Sequence, residues 1–304
     1  MKAKRAFRRT PELERPRTYP VVRVSSEYFM RSIDLLADVQ PGNLVASLIF
    51  VTLWAEQLTT RRYKAIPIRE LARRLGVPYE TARRNAALLV HQNLCAATEH
   101  GLVVPGAVLR RPRYRRVVRL MHANIMRLLA ELARIGVLKG AIELRHAVRR
   151  SELGRRQTAF ARAGIRSWLR GITNAADGVG GDILRGFVVA AIWTANVKHF
   201  TTTSTGGPAA MLRDDDRRPV TVMAIANSLR LPYETVRRYI NDLVAEDICR
   251  RIGREGVIVT TAYIYTIQSI SLKTVGLVAD LVADLRRAGL RASLSTSLLA
   301  ELGR

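Results

Sequence analysis

The chain of 304 residues contains one segment twice. Residues 66–95 read I-P-I-R-E-L-A-R-R-L-G-V-P-Y-E-T-A-R-R-N-A-A-L-L-V-H-Q-N-L-C, and residues 220–249 read V-T-V-M-A-I-A-N-S-L-R-L-P-Y-E-T-V-R-R-Y-I-N-D-L-V-A-E-D-I-C. The two align without a gap at a numbering offset of 154 and are identical at 11 of 30 positions. Such a repeat constrains the architecture, because each copy is expected to fold in the same way. We call the two segments copy one and copy two.

Each copy has the pattern of two short helices followed by a β-hairpin. Helices are predicted over 68–75 and 79–91 in copy one, and over 222–229 and 233–245 in copy two. Apolar residues recur at i, i+4, i+7 and i+8 along each second helix, which predicts one buried face. A short loop with glycine between two apolar runs follows, and this is typical of a hairpin.

Apolar segments flank both copies. Residues 43–58 and 183–200 are nearly all apolar, which predicts a buried helix before each motif. Matching their C-terminal ends gives an offset of 142, so copy two is expected to hold an insertion whose length is 154 − 142 = 12. Residues 128–137 match 281–290 as a closing helix. Five segments are expected: a flexible basic tail over 1–20, a first unit over 21–137 with its core at 43–137, a basic helical linker over 138–181, a second unit over 182–290, and a C-terminal tail over 291–304.

The composition indicates a basic intracellular protein. Lys and Arg number 50 against 25 Asp and Glu, so the net charge is +25 and the pI is about 11.3. A domain pI above about 9 is typical of nucleic-acid binders. Cys95 and Cys249 occupy the same position of the repeat and are expected to be buried, without a disulfide, in a reducing cytoplasm. The longest apolar stretch, 44–55, is too short to span a membrane. We therefore expect a cytoplasmic, nucleoid-associated protein with no membrane partner.

The order of helix, tight turn, second helix and hairpin resembles the winged helix-turn-helix domain of bacterial transcription regulators. The segment E-L-A-R-R-L-G-V-P-Y-E-T-A-R-R is similar to the DNA-reading segment of MarR-, IclR- and GntR-type regulators. In those families the second helix lies in the major groove, and the hairpin, or wing, touches the neighbouring backbone. The resemblance implies a mainly α fold with small β-hairpin wings: two winged helix-turn-helix domains in tandem, with flanking and linking helices.

The exposed face of each second helix is the candidate DNA-reading surface. Arg can bind guanine through two hydrogen bonds, Glu can accept from cytosine, and Asn can pair with adenine. The alternative is a solvated Arg-Arg face, with Tyr packed on the first helix and Glu capping its helix or orienting an Arg. The copy-two hairpin carries three arginines suited to phosphate, whereas the copy-one hairpin has none, so copy two is expected to bind more strongly. The predicted DNA-binding residues are Tyr79, Glu80, Thr81, Arg83, Arg84, Tyr233, Glu234, Thr235, Arg237, Arg238, Asn241, Arg250, Arg251 and Arg254.

These features predict a sequence-specific double-stranded DNA-binding protein, a transcription regulator whose two winged helices act as a pseudo-dimer. One alternative is a plasmid-type replication initiator with two winged-helix domains. Another is an architectural, nucleoid DNA-binding protein, which the Arg-rich stretch 105–170 favours.

Motifs for other functions are missing from the sequence. It has no Gly-rich phosphate loop, no catalytic cluster and no metal-binding histidine spacing, so we expect neither an enzyme nor a cofactor or metal, and no small-molecule effector is evident. The acidic run 214–216 is expected to be a solvated loop. An apolar stripe along 277–288 is able to pack on 128–135 within the chain or to join two chains in a homodimer.

Overall fold

The structure is a computed structural model, and it is mainly helical. Residues 1–17 of the predicted tail over 1–20, and residues 200–212 with most of the predicted insertion, lie outside the residues it describes. Within the described part, thirteen helices accompany three small antiparallel sheets, which confirms the mainly α class with small hairpins. The described residues are 18–37, 39–40, 43–59, 64–140, 150–199, 213–254 and 256–302.

The first half of the chain places the repeated motif between longer helices. Pro67 and Pro78 lie directly before the two motif helices, with φ of −59° and −55°, and this backbone geometry directs the chain into each helix. The elements are α1 (Thr18–Ala37), α2 (Leu44–Thr59), α3 (Ile68–Arg74), α4 (Tyr79–His91), β1 (Ala96–Thr98), β2 (Gly101–Val103), α5 (Gly106–Leu109), α6 (Pro112–Arg134) and β3 (Leu138–Lys139).

The second half repeats this order with three additions, a 3-10 turn and a short strand before the motif and a short helix at its end. The motif helices and the hairpin lie where the sequence pattern predicts them. The elements are α7 (Arg150–Asp177), α8 (Ile183–Val197), the 3-10 turn (Asp214–Asp216), β4 (Val220–Thr221), α9 (Val222–Leu229), α10 (Tyr233–Ala245), β5 (Cys249–Ile252), β6 (Gly256–Val259), α11 (Thr261–Thr266), α12 (Gln268–Arg287), β7 (Ser293–Leu294) and α13 (Thr296–Glu301).

The residue before each first motif helix joins the hairpin of its copy. Ile66 forms a single antiparallel bridge to Leu102, and Val220, the equivalent of Ile66 in copy two, pairs with Val257 in the sheet order β4-β6-β5. Gly101 has a φ of +128°, and a Cβ there would lie 2.4 Å from the backbone oxygen of Ile66. Glycine is therefore needed for the chain to pass this close.

The side-chain N-caps of the buried helices α2 and α8 show which residues of the two helices are equivalent. The side chain of Asn43 accepts from the backbone N–H of Ala46 at 2.9 Å, and Asp182 accepts from that of Arg185 at 3.1 Å. The two caps differ in number by 182 − 43 = 139, and the tryptophans at 54 and 193 differ by the same amount. The insertion in copy two is therefore 154 − 139 = 15 residues long instead of the predicted 12. The difference arises because the prediction aligned α2 and α8 at their C-terminal ends, whereas the caps align them at their N-terminal ends.

The two halves meet at two pairs of equivalent or nearly equivalent positions. Trp168 Nε1 donates to the Phe29 carbonyl at 3.2 Å, and these positions are related by the offset 168 − 29 = 139. Lys139 of β3 pairs with Ser293 of β7, and at the offset of 153 that relates the closing helices Ser293 is the equivalent of Gly140, the neighbour of Lys139. In a two-fold assembly, residues at the axis contact their own equivalents. The two halves are thus related by an approximate internal two-fold axis.

The turn between the motif helices contacts the opposite half in each copy. Gly76 has a φ of +57°, and a Cβ there would lie 2.4 Å from the Gly181 carbonyl oxygen, just before α8. The equivalent residue, Arg230, has a similar φ of +52°, and its guanidinium donates to Asp34 at 2.6 Å near the end of α1. Both turns therefore contact the other half, through partners that are not equivalent.

The segment expected as a linker, 138–181, holds a core helix. In α7, Phe160 and Trp168 are fully buried, and the helix packs against α6 and α12. Buried residues from both halves form one continuous core. The apolar stripe of α12 packs mainly on α7 and α1 within the chain.

Both predicted tails contain ordered elements. The segment 291–304 contains β7, which pairs with β3, and α13, in which Leu298 is buried. Strands as short as β3 and β7 have no detectable periodicity, so the pattern does not predict them. At the other end, α1 begins at Thr18, inside the predicted tail over 1–20.

Candidate nucleic-acid interface

The second motif helices, α4 and α10, bury the same face. Their inward residues form one stripe in each copy, and burial agrees position by position along both helices except at Leu88 and Asp242. This agreement follows from the predicted periodicity. The buried residues are Ala82, Ala86, Leu89, Val236, Ile240 and Leu243.

The opposite face gathers the predicted DNA-reading residues. Tyr79 and Tyr233 are 51% and 40% exposed, so neither ring is packed away on the first motif helix. Thr81 and Thr235 are half-buried at the edge of the face. Each copy thus presents the pattern Tyr-Glu-Thr-x-Arg-Arg from the first two turns of the helix, and the exposed charged residues are Glu80, Arg83, Arg84, Glu234, Arg237 and Arg238.

Glutamate orients the first arginine of each pair. Arg83 donates to both carboxylate oxygens of Glu80, at 2.6 and 2.9 Å, and the Arg83 guanidinium holds the pKa of Glu80 below its usual range. Arg237 donates to Glu234 at 2.8 Å in the same i, i+3 geometry. Exposed ion pairs of this kind contribute little to stability. Each guanidinium is therefore held over the helix by a bond that a phosphate or a base can replace.

Two further contacts fix α4 and α10 to the buried helices, and they involve residues that were not predicted as functional. Asn43, the cap of α2, donates to Asn85 of α4 at 2.6 Å. At the equivalent place Tyr239 of α10 donates to Asp182, the cap of α8, at 3.1 Å. Burial, followed by the Asp182 charge, raises the pKa of Tyr239 to about 12. Asn and Asp before an apolar helix are typical N-caps, and this is the signal that points to them.

The wing of copy two, formed by β5 and β6, is tied to its second helix. Asn241 Oδ1 accepts from the Arg251 guanidinium at 2.7 Å. Arg238 lies over the Tyr239 ring at 5.8 Å from its centroid. Arg250 and Arg254 are also exposed on this hairpin, so all three predicted wing arginines are accessible to solvent.

Asp214 organises the base of this wing instead of lying in a solvated loop. It accepts from the backbone N–H and the hydroxyl of Thr261, both at 2.6 Å, and pairs with Arg250 at 3.4 Å. The buried Arg217 also donates to Asp214, at 3.4 Å. Among the described residues, no group of three His, Cys, Asp or Glu side chains is placed to hold a metal ion.

The wing of copy one is short and lacks arginine. Its turn holds Glu99, which pairs with His100 at 3.2 Å. The basic residues of this half lie at the start of α6 instead, where Arg111 donates to the carbonyl of Asn93 just after α4, at 3.3 Å. Exposed arginines follow it at 113, 115 and 116. The two copies therefore place positive charge beside the second helix through different elements.

Both cysteines support the motif from inside. Burial raises the pKa of the Cys95 and Cys249 thiols to about 12, so they remain protonated and act as small apolar residues. In the described part of the chain, every helix is too short or too polar to cross a bilayer.

Comparison of the chain with models of known protein families, with curated proteins and with solved structures finds no match. Any functional assignment is therefore based on the geometry and chemistry described above.

Proposed function

We propose that the chain is a sequence-specific double-stranded DNA-binding protein that regulates transcription. In this proposal α3–α4 with β1–β2, and α9–α10 with β5–β6, are two winged helix-turn-helix domains that act as a pseudo-dimer within one chain. The observation that carries the proposal is the same exposed Tyr-Glu-Thr-x-Arg-Arg face on two helices related by an internal two-fold axis.

The two-fold relation favours an inverted-repeat target. Recognition helices that are related by a two-fold axis read half-sites about one helical turn of DNA, roughly 34 Å, apart. The half-sites are expected to be similar but not identical. Ala87 of copy one is Asn241 in copy two, and an Asn on this face can pair with adenine.

Each charged residue has a proposed role in this arrangement. Arg83 and Arg237 exchange their glutamate partners for base or phosphate, while Arg84 and Arg238 bind guanine or the backbone. The wing arginines of copy two contact phosphate. With a net charge of +25, binding is expected to weaken steeply as salt increases.

The test begins with selection of bound sequences from a random double-stranded DNA pool, followed by titration of the selected site. The double variants Arg83→Ala/Arg84→Ala and Arg237→Ala/Arg238→Ala are each expected to bind at least about tenfold more weakly, because a lost bidentate base contact costs about 1–3 kcal/mol.

A matched control removes two arginines from the closing helices, as Arg134→Ala/Arg287→Ala. Both belong to exposed i, i+3 ion pairs, with Glu131 and Asp284. This control is expected to keep the site preference of the wild type. If the α4 and α10 variants bind DNA with the affinity and sequence preference of the wild type, the assignment of α4 and α10 as reading helices is wrong. A pool with no enriched sequence would indicate an architectural protein instead of a regulator.

A further inference from the structure

Helix α6 exposes mainly arginine. Of its nine exposed residues six are arginines, and the other three, two alanines and a proline, are uncharged. Four of the arginines lie within the first eight residues of the helix at spacings of three and four, which places them on one side of it. We call these four the α6 arginine face: Arg113, Arg115, Arg116 and Arg119.

The position of this charge is unfavourable for the helix itself. The N-terminal end of a helix has a partial positive charge that disfavours cations, and the first turn of α6 holds no acid. Arg115 and Arg119 are one turn apart, so their like charges repel each other. No Asp or Glu occurs between Glu99 and Glu131, and of the carboxylates that the structure describes none pairs with Arg115, Arg116 or Arg119. The fold gains nothing from these charges, which favours an anionic partner.

The second half of the molecule places its charge in the reverse way. At the offset of 153 that relates the closing helices, the equivalents of the α6 arginine face are all uncharged. The copy-two wing has three exposed arginines, whereas the copy-one wing has none. In each half, one element after the second motif helix is therefore rich in exposed arginine, and this indicates a common partner. The uncharged equivalents are Thr266, Gln268, Ser269 and Leu272.

The chemistry of the face favours the backbone of double-stranded DNA. Guanidinium groups bind phosphate oxygens through two parallel hydrogen bonds. Single-stranded nucleic acid is usually bound by stacking of its bases on exposed aromatic rings, but Tyr114 of this segment is 1% exposed and stacks on Phe50. Helices that bind a membrane surface bury large apolar side chains in it, and the exposed residues of α6 include none.

We propose that the α6 arginine face binds the phosphate backbone of double-stranded DNA without reading its sequence, as the copy-one counterpart of the copy-two wing. This contact rests on DNA being the partner of the chain, as proposed above. It adds a binding surface outside α4 and the β1–β2 wing, so the two halves hold the backbone through different elements.

The test compares the triple variant Arg115→Ala/Arg116→Ala/Arg119→Ala with a control that removes the same charge, Arg134→Ala/Arg286→Ala/Arg287→Ala. The control arginines are exposed at the C-terminal ends of α6 and α12. Fluorescence anisotropy with a mixed-sequence duplex measures binding. The α6 variant is expected to lower the slope of log K against log salt by about 2 to 3, because each lost phosphate contact lowers it by about 0.9. The slope of the control is expected to change by less than about 1, because its charges lie outside the proposed contact.

The sequence preference separates this surface from the reading helices. The α6 variant is expected to weaken binding to the selected site and to the mixed-sequence duplex by the same factor, because phosphate contacts carry no sequence information. The variant Arg83→Ala/Arg84→Ala is expected to lower the ratio of the two affinities, since contacts to bases are lost.

Thermal melting followed by circular dichroism checks that the variants fold. The α6 variant is expected to melt at or above the temperature of the wild type, because it removes like charges near a helix N-terminus. If it does not fold, Arg115→Gln/Arg116→Gln/Arg119→Gln, which retains long polar side chains, takes its place in the same measurements.

Equal slopes for the α6 variant and the control would overturn the contact. A lowered affinity ratio in the α6 variant, or a loss of affinity confined to single-stranded RNA measured in parallel, would also overturn it. A pool with no enriched sequence would overturn the sequence-specific regulator but not this contact, which is measured on mixed-sequence DNA. Failure of the α6 variant alone leaves the reading helices to be judged by their own variants.

Discussion

At the scale of single residues, Asn196 joins a buried helix to the sheet of copy two. The side chain is fully buried on α8, and its amide nitrogen donates to the carbonyls of Arg218 and Val257 at 2.7 and 3.1 Å. Its oxygen accepts from the Val259 N–H at 3.0 Å. All three contacts satisfy backbone groups at the sheet. Gln57 occupies the equivalent position of α2 in the first half, so the two halves carry different side chains at this position.

Asn196→Ala is expected to lower the free energy of unfolding by about 3 kcal/mol, because it leaves buried backbone groups without partners. Urea denaturation followed by circular dichroism measures the change. Asn227→Ala, at an exposed position of α9, is the control and is expected to stay within about 0.5 kcal/mol of the wild type. A similarly small loss for Asn196→Ala would show that water replaces the side chain.

At the scale of elements, the two hairpins differ more than the helices they follow. Copy two has strands of four residues and gains a third strand from β4, whereas copy one has strands of three residues and a single bridge at Ile66. The copy-two hairpin also carries arginines at 250, 251 and 254, against Glu99 and His100 in the other. The shared helices imply a common docking mode, and the hairpins imply unequal electrostatic contributions.

Removing the charge of the longer wing is expected to reduce the salt dependence of DNA binding. The triple variant Arg250→Ala/Arg251→Ala/Arg254→Ala should lower the slope of log K against log salt by about 1 to 3, because each lost phosphate contact lowers it by about 0.9. Fluorescence anisotropy at several salt concentrations measures the slope. The control is the double variant Glu99→Ala/His100→Ala in the other wing. Its slope of log K against log salt is expected to change by less than that of the triple variant. An unchanged slope in the triple variant would exclude phosphate contact by this wing.

At the scale of the whole molecule, one core connects the two halves. Phe29 of α1 and Trp168 of α7 meet at the internal axis with ring centroids 6.0 Å apart, and β3 pairs with β7. Helix α7 packs on both α6 and α12, which belong to different halves. Neither half buries its apolar surface without the other.

The full chain is therefore expected to unfold in one cooperative transition. Scanning calorimetry should give a calorimetric enthalpy equal to the van't Hoff enthalpy, which is the signature of two-state unfolding. The fragment 1–137 is expected to remain unfolded, because it lacks the α7 and α12 surfaces that cover α1 and α6. Two separate transitions, or a folded fragment, would show that the halves are independent domains joined by a linker.

The repeated motif and its exposed face follow from local sequence patterns. The helical period buries Ala82 and Val236 and turns Arg83 and Arg237 outward, and this relation is local to a few turns of helix. Local patterns also predict that Cys95 and Cys249 are buried. These features depend on residues close together in the chain, which is why the pattern predicts them. The DNA-reading role of the face stays a prediction.

The way in which the two halves meet depends on long-range packing and is not encoded in local patterns. The basic character of 138–181 predicts a linker, yet the apolar residues of α7 within it pack between two distant helices. The short strands β3 and β7 are stabilised by each other across the internal axis and have no periodicity of their own. The position of Asp214 beneath the wing and the contacts made by the caps at Asn43 and Asp182 likewise join segments far apart in sequence. Their physical basis is packing and hydrogen bonding between distant segments, which local patterns do not encode.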